Sequence, residues 1–476
     1  MSVAVTALPS YSTIWDSERE LYRFLLATQA KLRGQQTIIL SLSQRLEPVD
    51  FLQVLATISP HQTIHFYQES QDSQEALLGF GVCCQLSLQD PLTGGDRFAQ
   101  AKQFVQSCFQ LIHPLPSASG AGIVPTIYCG FSFFNQIDPQ AAFPPAFVFL
   151  PHFQLIKRGY HYHLLCNFLL DKTLNLKFLV KQTFRQLQRI KQIQGHWPHR
   201  ETFLTHHGQP QSVNPHLSEA IQSLLPAIQS QELHKVVLAQ ALDLVLPASF
   251  GLVDSLQRLR SHYPDCAVFS LGNGQGDYFI GASPERLLNI QQQQFLTDAL
   301  AGSAPRGQTP QEDAQLAHQL LQSEKERYEH QVVIEFLINR LTSLGLTPQR
   351  SPLKLLKLSN IQHLWTPIHA QLLPHLHPLD IIAQLHPTPA VAGVPTAKAC
   401  ELIQRHENFD RSLYAAPLGW IDYQGNSEFR VGIRSALIRQ NQARLFAGAG
   451  IVQGSDPQQE LAEIHLKLQT LLRALL

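Results

Sequence analysis

The sequence predicts an α+β fold built on antiparallel sheet. Strand-like runs follow one another with no helix between them, as "CAVFSLG", "DYFIGAS" and "RLLNIQ" do. Short polar turns join others: "DYQGNSEF" lies between two apolar runs, the pattern of a hairpin. Helical runs are present but do not alternate with strands in the βαβ manner of a doubly wound sheet. Hydrophobic residues make up 44% of the 476 residues, ample for a substantial core.

In chain order, the first 200 residues mix strand-like runs ("QTIILSLS", "ALLGFGVCCQLSL", "IVPTIYCGFSFF", "AFVFLPHFQLIKR") with helical ones ("DRFAQAKQFVQSCFQLI", "FLVKQTFRQLQRIKQI"). The polar stretch "QGHWPHRETFLTHHGQPQSVNP" marks a boundary. It divides an N-terminal α/β region over 1–205 from a second region over 215–476. His206 and His207 within it are adjacent, so they cannot both face one metal from a regular element. Beyond it, a helix ("HLSEAIQSLLPAIQS") leads into a strand from Lys235, then a helix ("FGLVDSLQRLRSHY") and the three strand runs above. One long helix is expected over 311–344. Further strands are expected in "LYAAPLGWIDY", "EFRVGIRSALIR" and "ARLFAGAGIV", and a closing helix from Pro457.

Composition excludes several classes. Lys plus Arg and Asp plus Glu number 36 each, so there is no global electrostatic case for nucleic acid or an anionic membrane. Any anionic ligand needs a local site. Seven scattered cysteines without a CxxC pair suggest neither a disulfide framework nor a zinc site. The N-terminal run has no basic region ahead of an apolar core, and nothing approaches the ~20 continuous apolar residues of a membrane span. A soluble, cytoplasmic protein is the expectation.

Chemistry concentrates in the second region. In "HKVVLAQAL", Lys235 shares one strand face with Val237, Ala239 and Ala241, small surroundings for an ammonium. It is either a strand-edge lysine reaching water or a lysine held in a cavity. "SEKERYEH" puts Glu326 and Glu329 on one helix face, in line with Val333 and Leu337, and "QELAEIHLKL" does the same for Glu460 and Glu463. Buried together, these four carboxylates would be oxygen ligands for a hard cation such as Mg²⁺. On spacing alone, solvated faces with intrahelical pairs such as Glu463 to Lys467 stand as the other reading.

"IGASPERLL" places Glu285 just after a strand ending in small residues, and "LAGSAPRG" reads as a glycine-flanked loop carrying Ser303. Arg434 in "FRVGIRSAL" is expected within a strand, on the parity of Gly432 and Ala436, suited to gripping a carboxylate. "GAGIVQG", 448–454, has GxGxxxG spacing rather than GxGxxG, and one helix later the sequence stops, so dinucleotide binding is not expected. Its glycines are expected to bring backbone N–H groups to an anion at a helix start. Together these residues describe a site for a small polyanion undergoing proton transfer.

The motifs "KVVLA", "GASPE", "LAGSAPRG", "SEKERYEH", "HPTPAVAG", "AGAGIV" and "SDPQQELAEIHLKL" occur here in the order seen in chorismate-utilising enzymes. Over about residues 215–476 the chain strongly resembles that family; the first 200 residues fit in length and mixed pattern only. The resemblance implies one large α/β sandwich of antiparallel sheets with outer helices, to which the N-terminal half contributes. It implies Lys235 as the general base that deprotonates the water attacking ring C2, and Glu285 as the general acid for the departing C4 hydroxyl. It also implies Mg²⁺ on Glu329 and Glu463 directly, with Glu326 and Glu460 largely through water, holding the ring carboxylate. Arg434 and Tyr414 match positions that hold the enolpyruvyl carboxylate, with the Gly448 backbone and Lys467 completing the anion site. Gly302, Ser303 and His363 match positions lining the ring. Gln240 departs from the pattern, since the family commonly has arginine there.

Ala390 in "HPTPAVAG" selects within the family. Ammonia-using anthranilate and aminodeoxychorismate synthases, and salicylate synthases, typically carry threonine there, whereas the alanine form resembles isochorismate synthases. A methyl group leaves room for water and offers no hydroxyl to orient ammonia. A reversible chorismate-to-isochorismate conversion, by a monomer without an obligatory glutaminase subunit, is therefore expected, feeding quinone or siderophore synthesis. A catalytically inactive chorismate-binding protein would have lost Lys235, Glu285 or a metal carboxylate, and none is lost.

Overall fold

In the computed structural model of the chain, residues 14–15, 17–88, 96–114, 123–193, 216–246 and 250–475 are described. The boundary stretch with His206 and His207 lies outside them. The described strands form two sheets, one of twelve strands and one of ten. Every pairing is antiparallel except that of Ile38–Leu46 with Ile112–Pro114. Both halves of the chain enter both sheets: Ala267–Asn273 pairs with Ile64–Ser70 in the larger, and Pro417–Asp422 with Thr126–Phe131 in the smaller. The sheets face one another across the core, where Phe66 of the larger stacks on Tyr128 of the smaller at 4.6 Å.

Four short links carry the chain directly from one sheet to the other: 81–83, 151–152, 284–285 and 432–434. Runs that read as single strands are therefore broken. "EFRVGIRSALIR" is two strands, Ser427–Val431 and Ser435–Arg439, in different sheets. Arg434 is not within a strand but in the link between them, with φ of 49°. That left-handed backbone is held by Ala282 N–H, which donates to the Arg434 carbonyl at 3.1 Å. A Cβ at Gly281 would lie 2.6 Å from the same oxygen, so only glycine fits there.

Two other expectations are corrected. The segment 300–307 is mostly strand rather than loop: Gln294–Pro305 runs beside Ile361–Gln371, with a bulge at Gly302, φ +77°. The long helix over 311–344 is two helices, Pro310–Gln322 and Glu324–Ser343. Ser323 between them is extended, and its side chain accepts the Glu326 N–H. A serine three residues ahead of a glutamate starts a new helix more readily than it continues an old one.

Glu324–Ser343 packs outside the smaller sheet and Pro457–Leu475 outside the larger, each lying across a strand that borders the site. No described helix is long and apolar enough to cross a membrane.

Candidate active site

The strand Lys235–Val245 lies between Gly393–Val394 and Gln442–Ile451. Alternation buries the Lys235 side chain completely, and its Nζ is 2.8 Å from Glu329 Oε1. A Cβ at Gly450 would lie 2.3 Å from that oxygen and 3.0 Å from Lys235 Cε. The glycine is what lets strand and helix bring the pair together. Gly448 and Gly450 lie within the strand read from "ARLFAGAGIV", so the N–H groups they offer are those of a strand rather than of a helix start; a Cβ at Gly448 would sit 3.1 Å from the Tyr414 hydroxyl.

In front of this pair lies a cavity walled by Glu285, Gly302, Ser303, His363, Ala390, Tyr414, Arg434, Gly448, Glu329, Glu463 and Lys467. Eleven sequence-predicted residues meet there, from both sheets and both outer helices. Lys235 is not itself on the wall; it is paired to Glu329, which is. Glu326 and Glu460 are also set back. A larger open groove, lined by Glu75, Lys102, Arg158 and Trp420 among others, contains none of the predicted residues.

Glu285 occupies the 284–285 link, so its side chain enters from between the sheets. Its backbone is fixed on both sides: Glu285 N–H donates to Ser283 Oγ at 3.3 Å, and its carbonyl accepts from Val431 N–H at 3.1 Å. Burial pushes its carboxyl up to about 8, against the pull of Lys235 and Lys467. At neutral pH it carries a proton and can give one away.

Arg434 is buried, with no carboxylate partner among the described residues. Its Nη2 donates to His363 Nε2 at 2.9 Å. Guanidinium can only donate, so Nε2 accepts and the histidine proton sits on Nδ1. Nδ1–H then donates to Ser303 Oγ at 3.0 Å, and the Ser303 hydroxyl is free to donate to Glu463. Burial first, then Arg434 and Lys467, hold His363 well below its ordinary value, hence neutral. Tyr414 is stacked on Phe446 at 5.0 Å, and burial raises its phenol, which stays protonated.

The carboxylates come together as the spacing allows, but each is answered within the chain. Glu463 pairs with Lys467 at 2.7 Å, Glu460 with Lys325 at 2.6 Å, and Glu326 accepts from Ser303 N–H at 2.9 Å. Lys325 was not singled out in the sequence; it ties the two outer helices together. Lys467 also donates to the Gly448 carbonyl at 2.8 Å. Gly448 thus engages through its carbonyl, holding the ammonium. Burial, then Glu329, raises Glu326, and burial raises Glu460; Glu463 is net lowered because Lys467 and Lys325 outweigh its burial. Oxygen-only donors that repel one another suit a hard cation. Among the described residues, no three such side chains are already grouped as a cage.

The profile of the chorismate binding enzyme family matches residues 25–476. The chain belongs to this family. It is 33% identical over 451 residues to the salicylate biosynthesis isochorismate synthase of Pseudomonas aeruginosa, covering 92% of this chain and 90% of that one. It is 38% identical over 258 residues to the isochorismate synthase MenF of Bacillus subtilis, covering 54% of this chain and 55% of that one. In structure it is similar to the menaquinone-specific isochorismate synthase of Escherichia coli, with a TM-score of 0.75 at 26% identity, over 97% of this chain and 100% of that one.

Proposed function

We propose that this family member converts chorismate reversibly into isochorismate. The observation that carries the reading is Glu285: a carboxyl held protonated to about 8 by burial, on the wall of a cavity backed by Lys235. Water bonds to ring C2 as Lys235 takes its proton. The ring double bonds shift, the C4–O bond breaks, and Glu285 protonates the departing hydroxyl, which leaves as water. Arg434 and Tyr414 hold the enolpyruvyl carboxylate, and neutral His363 with Ser303 lines the ring. Ala390 leaves a methyl-lined space for the attacking water. Mg²⁺ on Glu329 and Glu463, with Glu326 and Glu460 through water, would supply positive charge for the ring carboxylate.

A monomer is proposed as the working unit, and a water nucleophile needs no glutaminase partner. We place the reaction in the cytoplasm. Of the three isochorismate synthases named above, one is named for salicylate biosynthesis and one for menaquinone, and either use of the product is compatible with this site.

The test is incubation with chorismate and Mg²⁺, with and without ammonium, followed by chromatography. Isochorismate is expected in both, and isochorismate supplied alone should return chorismate. Predominance of salicylate with pyruvate, or of an aminated ring, overturns the reading of Ala390.

A further inference from the structure

Arg411 is not on the cavity wall, yet it is bonded to the pieces that form it. It is the largest fully buried side chain of the described residues, and Glu407 beside it is 3% exposed. The two meet through paired contacts, Nε to Oε2 at 2.8 Å and Nη2 to Oε1 at 2.5 Å. The guanidinium also lies 4.4 Å over the Phe133 ring and 5.7 Å from the centre of the Tyr414 ring.

Its remaining donors go to backbone. The Lys235 strand pairs with its outer neighbour only at Lys235 and Val236; after Val237 N–H donates to the Ala392 carbonyl at 2.7 Å, the neighbouring chain turns away. The next two ladder positions on that edge are filled by side chains. Arg411 Nη2 donates to the Val237 carbonyl at 3.0 Å, and Glu407 Oε1 accepts from Ala239 N–H at 2.8 Å. Arg411 Nη1 donates to the Val391 carbonyl at 2.8 Å. One rigid fork thus spans from the residue beside Ala390 to the strand that carries Lys235. Val237, Ala390 and Val391 all face the cavity.

Such a pair is a poor device for stability alone, because a buried ion pair commonly does no better than apolar residues of the same volume. It is a good device for fixing a distance. We propose that Arg411 is a positioning residue that fixes the Ala390 wall against the Lys235 strand and thereby restricts the product to isochorismate. This rests on the isochorismate reading above.

Two variants test it in a single assay, chorismate with Mg²⁺ and ammonium, products resolved by chromatography. Arg411→Lys keeps a cation for Glu407 but cannot fork to both carbonyls. Arg411→Met with Glu407→Met removes both charges and leaves neither unpaired. Both are expected to fold by thermal melt. Turnover should fall about 10- to 100-fold while KM barely moves, as displacement near reacting atoms does. The share of products other than isochorismate should rise, which a merely structural role would not cause. Wild-type turnover and product ratio in a folded variant overturn the proposal, and so does loss of folding in both. Wild type is the control for the functional reading: if it makes no isochorismate, that reading fails, while Arg411 is still judged by whether its substitution alters the product ratio.

Discussion

Among the described residues the same structural device occurs four times, and twice it carries a side chain of the candidate site. Each of the links 81–83, 151–152, 284–285 and 432–434 drops the chain from one sheet to the other. In the N-terminal half they carry scaffold. His152 donates from Nδ1 to the Asn167 carbonyl at 2.8 Å, lies edge-on to Phe153 and Phe168, and is pushed by burial down to about 4. In the C-terminal half they carry Glu285 and Arg434 into the cavity. Four of the helices show the same difference. Arg97–Leu111 and Leu176–Gln192 contain no carboxylate, whereas Glu324–Ser343 and Pro457–Leu475 bring four to the site. The crossing is generic. What is placed at it, and which helix covers it, sets the half that holds the candidate site apart.

The largest effect expected from this asymmetry is on the carboxylates. Chelator should abolish turnover and added Mg²⁺ restore it, with the melting temperature rising as Mg²⁺ is titrated in. Full turnover in EDTA sinks the metal assignment. Next come the proton carriers. Glu285→Gln should cut kcat ~10²-fold or more with the fold retained. Lys235→Ala should cut it similarly but also destabilise by about 3–5 kcal/mol, because Glu329 loses its buried partner. A near-wild-type rate from either removes that residue from the mechanism.

Much of this was legible in the sequence. Lys235 among small residues left a strand edge and a cavity both open; the family resemblance chose the cavity, and the side chain is fully buried. The paired glutamates fixed their own faces. The crossings were not legible, because alternation continues through "EFRVGIRSALIR" while the chain changes sheets. What turns Arg434 is a distant backbone donor, Ala282 N–H, and room beside Gly281. Ser323 with Glu326 did signal the helix break, and periodicity alone passed over it. Glu407 and Arg411 are four apart, which on any helix reads as a surface pair; only the bare edge of the Lys235 strand gives them their place.

A smaller effect follows from Glu285 and pH. Its value rises from 4.5 in the unfolded chain to about 8 in the fold. Between those limits the folded state holds a proton that the unfolded state has lost, so this group's contribution to stability falls as pH rises from 4.5 to 8. Activity that needs the protonated acid should show kcat/KM falling above about pH 8. Glu285→Gln should remove both slopes. An unchanged alkaline limb in that variant assigns the limb to another group.

The smallest effect on chemistry is expected at the N-terminal link. His152→Ala removes the donor to the Asn167 carbonyl and leaves that oxygen without its side-chain partner, a loss of about 1–3 kcal/mol. The melting temperature should therefore fall. His152 is already neutral throughout the working range, since burial holds it near 4, so no charge is lost from the molecule between pH 5 and 9. Below the new melting point, kcat/KM, its pH profile and the product ratio should match wild type within about twofold, as expected for a substitution that touches stability alone. The readout is a thermal melt beside a pH–rate profile on the same preparation. A shifted alkaline limb or a changed product ratio would mean that the N-terminal links also position the reacting groups, and the division between scaffold and chemistry would fail at that link.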